Sequence, residues 1–213
     1  MVFQGGGSIR QKQGQIASDY HHILPNQREN FLKAYRFDYP ERIPITIGVS
    51  PACWKCYDPA ELENLMLTHN YLFPGFKKGS IDPNNLPLGP LTTANVPFAD
   101  SWGCTWETTI DGIIGVVTKN PLDDWSKLDT FVPPNPNFKT HIADIDWEKY
   151  RENCAKARQQ GAFLRPSLSH GFFFMTLEYL RGFDNLIFDM CDSDPRLDKL
   201  NSMVESFCAG LVG

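Results

Sequence analysis

Between Gly161 and Gly182 the chain reads Gly-Ala-Phe-Leu-Arg-Pro-Ser-Leu-Ser-His-Gly-Phe-Phe-Phe-Met-Thr-Leu-Glu-Tyr-Leu-Arg-Gly. A short apolar segment leads to a polar elbow at Ser169-His170-Gly171, and 172–181 then has helical spacing closed by Gly182. Strand, elbow and helix make one α/β repeat. In a parallel α/β fold the loop after the strand faces the ligand crevice, so Ser169 and His170 are placed where chemistry is expected. A neutral imidazole at position 170 would serve as a general base or hold a substrate oxygen. Ser169 is read as a hydrogen-bonding partner of a ligand and not as a nucleophile, because Gly-x-Ser-x-Gly is missing around it. Arg165, inside the apolar segment, calls for a carboxylate partner or a position facing the mouth of the fold.

The other elements are arranged around this unit. Residues 1–25 form a polar leader read as disordered, its opening stretch being rich in Gly, Gln and Ser. A helix is predicted near 26–37, with Phe31, Leu32, Ala34 and Tyr35 as its apolar stripe. Residues 42–50 alternate Ile43, Ile45, Ile47 and Val49 against Pro44, Thr46, Gly48 and Ser50, which predicts a first strand. Asp58-Pro59-Ala60-Glu61 opens a second helix reaching about Leu72. The Gly-, Pro- and Asn-rich run 74–97 is a long loop. Trp102, Cys104 and Trp106, then Ile113 to Val117 with Asp111-Gly112 between, predict an inserted hairpin over 100–118. Further helices are expected over 146–160, 185–191 and from Asp194-Pro195 to about Cys208.

Composition narrows the function classes. With 213 residues, 42% hydrophobic and 21% charged, the chain suits one globular domain. A net charge of −5 without a Lys/Arg cluster argues against a nucleic-acid surface. No apolar run reaches membrane-spanning length and no signal-peptide pattern opens the chain, which favours a cytoplasmic location. Cys104, Cys154, Cys191 and Cys208 are scattered singly; only Cys53-Trp-Lys-Cys56 has ligand-like spacing, and no second pair or His-x3-His accompanies it.

Three pieces carry a family resemblance. Arg28-Glu-Asn-Phe-Leu-Lys-Ala-Tyr-Arg-Phe-Asp38 runs into Pro40-Glu-Arg-Ile-Pro44; Phe98-Ala-Asp-Ser-Trp-Gly103 is followed by Trp106, Asp111-Gly112 and Pro121-Leu122; and Leu180-Arg-Gly-Phe-Asp-Asn-Leu186 precedes Asp194-Pro195. In this order and spacing they resemble the uroporphyrinogen decarboxylase superfamily, and its methyltransferase-like branch more than the haem-pathway enzyme. The resemblance implies a TIM (β/α)8 barrel, of which residues 26–213 would supply the N-terminal half with the hairpin inserted. A complete barrel of this kind needs about 250 residues. The family decarboxylases grip substrate carboxylates with an Arg-rich motif after strand one, where this chain has Ser50-Pro-Ala-Cys-Trp-Lys-Cys56.

The resemblance implies a corrinoid (cobalamin)-dependent methyltransferase acting on a small methylated substrate, with the corrinoid on a partner protein. The family's zinc would be held by a His-x-Cys…Cys set that has no counterpart here. In this chain His170 would be catalytic, and Ser50, Asp100, Trp102 and Ser169 would line the substrate site. The alternatives are cofactor-free uroporphyrinogen III decarboxylation, and a truncated, inert half-barrel that self-associates as a homo-oligomer because its sheet edges are open. For Asp100 and Trp102 a turn cap and a core indole are the competing uses. The histidines at 21, 22, 69 and 141 are assigned surface or capping roles.

Overall fold

A computed structural model describes residues 25–162, 164, 168 and 171–212. The leader before Pro25, Arg165, Ser169, His170 and most of the predicted strand ahead of them lie outside the described residues. The chain divides into two compact units. One takes the described parts of Met1–Thr93, Ile110–Ile113 and Asn153–Arg165; the other takes Ala94–Thr109, Ile114–Glu152 and the described parts of Pro166–Gly213.

The first unit is helical. It contains α1 (Pro25–Tyr35), α2 (Pro51–Cys56) and α3 (Pro59–Thr68), with a 3-10 turn at Pro90–Thr92. Phe31 is the buried anchor of α1. Asn30, within that helix, holds the backbone of Arg42 from both sides, its Nδ2 donating to the Arg42 carbonyl at 2.8 Å and its Oδ1 accepting from the Arg42 N–H at 3.3 Å. The strand predicted over 42–50 is not formed. Residues 43–50 join no ladder, and Ile43, Ile45 and Ile47 are 80%, 48% and 50% exposed. Alternation selects a face only when a neighbouring strand supplies hydrogen bonds and a layer to pack on, and the described residues supply neither.

α2 and α3 begin as their sequences dictate, each with proline in the first turn, where its missing N–H costs nothing. Asp58 accepts from the Ala60 N–H at 2.8 Å and so caps α3. This helix buries none of its residues and stops at Thr68, short of the predicted Leu72, because His69 leaves helical geometry. The loop 74–97 is held partly by Glu63, whose Oε1 accepts from the Gly79 N–H at 2.6 Å.

The second unit carries the sheet. Strands β1 (Phe98–Ala99), β2 (Thr105–Glu107) and β3 (Val116–Lys119) are antiparallel in the order β1-β2-β3. Phe98 faces Trp106 and Trp106 faces Val117 across the two ladders. A β2–β3 hairpin lies in the predicted region, but its arms are Thr105–Glu107 and Val116–Lys119, so Trp102, Cys104, Ile113 and Ile114 fall outside the strands and β1 pairs on the other edge of β2. Helix α4 (Trp147–Gln159) spans the division between the units; Asp146 caps it and Gly161, at φ +66°, ends it.

Helices α5 (Phe174–Arg181), α6 (Phe183–Cys191) and α7 (Arg196–Val212) complete the second unit. Gly182 separates α5 from α6 at φ +82°, a conformation that side chains with a Cβ rarely adopt. Leu122, Leu180, Leu186, Leu200, Val204 and Phe207 are sealed from solvent and form the core. Residues 172–181, 185–191 and the chain after Asp194 are thus helical broadly where their periodicity places them. The described residues contain antiparallel pairing only, so no wall of a parallel barrel is formed among them.

Candidate functional site

Asp100 organises the mouth of the sheet. Its Oδ1 accepts from the Trp102 and Cys104 N–H groups, each at 2.9 Å, and its Oδ2 accepts from the Trp106 indole Nε1 at 2.8 Å. The Asp100 and Gly103 N–H groups close the same turn on the Cys104 and Asp100 carbonyls. A short carboxylate suits this work because it reaches backbone donors two and four residues ahead without leaving the turn. Burial raises its pKa, against the opposing pull of those donors.

The turn delivers Trp102 into an aromatic cluster. Its ring stacks on Phe131 at 6.3 Å between centroids, meets Phe207 edge-on at 4.9 Å, and lies 6.0 Å from the His141 ring. Only 3% of Trp102 is exposed, and its Nε1 has no hydrogen-bond partner among the described residues. A buried N–H in that condition carries its full desolvation cost, on the order of 1–3 kcal/mol.

His141 continues the cluster. Its Nε2 lies 3.1 Å from Thr176 Oγ1, and Thr176 gives its single proton to the Phe172 carbonyl at 2.7 Å. The hydroxyl must then accept from the imidazole, which assigns the proton of a neutral His141 to Nε2. Burial depresses the His141 pKa to about 4, so the ring is neutral at pH 7. The same Phe172 carbonyl also takes the Cys208 thiol at 3.6 Å. Two side chains thus pin the chain immediately after Gly171, which turns into α5 at φ +61°.

The predicted site residues therefore separate. Asp100 and Trp102 are neighbours in one turn. Ser50 belongs to the first unit, where it precedes α2 with its Oγ 3.4 Å from Cys53 Sγ and makes no side-chain cap. Ser169 and His170 lie outside the described residues. His141, assigned a surface or capping role from sequence, is instead substantially buried against Trp102, Phe207 and Thr176. No local pattern around Thr140-His141-Ile142 announces this, since its partners lie 35 and 66 positions away in sequence.

Beside the cluster, Pro133, Pro134 and Pro136 face Lys199, Met203 and Phe207 of α7 across an open groove of about 560 Å³. Phe207 is common to both. Among the described residues no group of three or more His, Cys, Asp or Glu side chains is placed to hold a metal ion. No helix among them is long and apolar enough to cross a membrane.

No protein-family model, curated protein or solved structure matches the chain. What the geometry defines by itself is a mixed α/β unit in which an aspartate turn and a neutral histidine border one buried aromatic cluster.

Proposed function

We propose that this chain is part of a uroporphyrinogen decarboxylase-like (β/α)8 barrel that works as a cytoplasmic corrinoid-dependent methyltransferase on a small methylated substrate. One observation carries the reading: two of the three sequence blocks that resemble the family pack on each other. The Leu122 N–H donates to the Leu180 carbonyl at 2.9 Å, and Arg181 Nη1 donates to the Leu122 carbonyl at 2.9 Å. Blocks separated by about 60 residues are thus in contact, as a shared architecture would require.

In this reading His170 holds or moves a proton at the substrate. A corrinoid carried on a partner protein would supply the methyl-carrying cobalt and the family's zinc would activate the donor or acceptor, although the His-x-Cys…Cys set that would hold that zinc has no counterpart in this sequence. The thiols at 53, 56, 104, 154, 191 and 208 are all free, which suits a reducing compartment.

The test mixes the purified protein with reduced cobalamin and a panel of methylated amines, thiols and aryl ethers, and follows methylcobalamin by its absorbance. Methyl transfer from one donor, lost in His170→Ala, is the expected result. Consumption of uroporphyrinogen III instead would establish the decarboxylase alternative. Inactivity on every substrate, together with a self-associated species in size-exclusion chromatography, would leave the inert half-barrel.

A further inference from the structure

Cys53 and Cys56 both lie in α2, and their setting points to a use. The helix is fastened on its other sides. Ala52 and Trp54 are buried, and Lys55 is ion-paired with Asp111. The loop carrying Asp111 lies against the start of α2: a Cβ on Gly112 would come within 2.3 Å of the Ala52 nitrogen. Residues three apart on a helix share a face, so the two thiols stand together away from Trp54. Cys56 is exposed and Cys53 is half-buried, and neither is in a disulfide.

We infer that Cys53 and Cys56 form a thiol–disulfide exchange centre, in which Cys56 meets an external disulfide and Cys53 resolves the product. The thiolate of Cys56 attacks one sulfur of a small disulfide RSSR. The S–S bond breaks, and the leaving thiolate takes up the proton that Cys56 released. Cys53 then attacks Cys56 sulfur in the mixed disulfide, expelling the second RSH and leaving a Cys53–Cys56 bond. Two electrons pass from the protein dithiol to RSSR, and two RSH form. Ser50 Oγ, 3.4 Å from Cys53 Sγ, is placed to exchange a proton with the resolving sulfur.

Closing the bond needs the β-carbons at about 3.5–4.5 Å, whereas helical i,i+3 neighbours sit about 5–6 Å apart. The last turn of α2 must therefore tighten. It has room to do so, because the helix is six residues long and Tyr57 is already extended at φ −113°, ψ 161°. The turn is held at that end by the Tyr57 N–H to Cys53 carbonyl bond of 2.9 Å.

This inference is independent of the methyltransferase reading, and its test is chemical. The reduced protein is treated with oxidised glutathione, quenched with acid and mapped by mass spectrometry, with exposed Cys191 as an internal control that has no cysteine at a CxxC spacing. Wild type is expected to gain a 53–56 link with little adduct on Cys56, while Cys191 keeps its glutathione. Cys53→Ser should trap glutathione on Cys56, and Cys56→Ser should leave Cys53 reacting at least 10-fold more slowly. A glutathione adduct that persists on Cys56 of the wild type, or no reaction at either position, would overturn the inference. Because the wild type alone can return either result, the test survives a variant that fails to fold.

Discussion

Arg181 and Asp189 form an ion pair with both side chains about nine-tenths buried, Nε to Oδ2 at 2.6 Å. Two turns of chain separate them, and the break at Gly182 puts them on different helices. The remaining valences are filled. Arg181 Nη1 donates to the Leu122 and Asp123 carbonyls, the Trp125 indole donates to Asp189 Oδ1 at 3.0 Å, and the guanidinium lies 4.4 Å above the Trp125 ring. A buried charge pair is tolerated only under such conditions.

Removing one member should therefore cost far more than removing both. Asp189→Ala leaves a buried guanidinium without its carboxylate and is expected to destabilise the second unit by about 3–5 kcal/mol. The double variant Arg181→Met, Asp189→Leu should recover most of that loss. Urea denaturation followed by tryptophan fluorescence measures both, and a double variant that loses as much as the two single variants added together would show that the pair is not coupled.

His141 makes stability depend on pH in a direction that can be worked out. Its folded pKa, about 4, lies below the unfolded value of 6.5, so between these limits the unfolded chain binds the extra proton. Stability is then fully present above pH 6.5 and falls as pH drops towards 4, by up to ~3 kcal/mol for this group. Asp100, with its raised pKa, acts in the opposite sense at the acid end, where its protonated form is favoured by folding. Urea melts between pH 4 and 7 should show the slope, and His141→Gln should flatten it.

The unpartnered Trp102 indole gives an unequal pair of substitutions. Trp102→Phe loses ring area but also removes a buried N–H that has no acceptor among the described residues, and is expected to stay within about 1 kcal/mol of wild type. Trp102→Ala opens a cavity among Phe131, His141 and Phe207 and should cost about 3–5 kcal/mol. Comparable losses in chemical denaturation would mean that the indole nitrogen does have a partner.

Gly112 is the most restrictive position in the first unit. At φ +84° it donates to the Thr92 carbonyl at 2.8 Å while pressing on the backbone of Pro51 and Ala52. Gly112→Ala therefore meets both backbone strain and a collision, and a loss above about 1 kcal/mol is expected. Hydrogen exchange should report it as faster opening of α2. Unchanged protection there would show that the loop yields freely.

Local chemistry determined much of this protein in advance. The starts of α3 and α4 follow from Asp58 with Pro59 and from Asp146, because caps and first-turn prolines act within a few residues of themselves. Gly161 and Gly182 end helices for the same reason. The region of the hairpin followed from the apolar residues on either side of Asp111-Gly112, although its strands lie at 105–107 and 116–119. Asp100 and Trp102 were legible as a unit, although not the way Asp100 divides its two oxygens among three donors.

What needed the tertiary structure was every relation between distant residues. The isoleucines at 43, 45 and 47 alternate as a strand should, yet lie exposed, since a strand exists only with a partner and its pattern does not name one. His141 reads as a surface or capping residue until Thr176 and Phe207 reach it from α5 and α7, and nothing in the sequence around Arg181 announces that Asp189 and the Leu122 carbonyl surround it. Caps and turns are decided by energies that act along the chain. Burial, ion pairing and the pKa of a histidine are decided by what the fold brings from elsewhere, and a one-dimensional pattern carries no record of that.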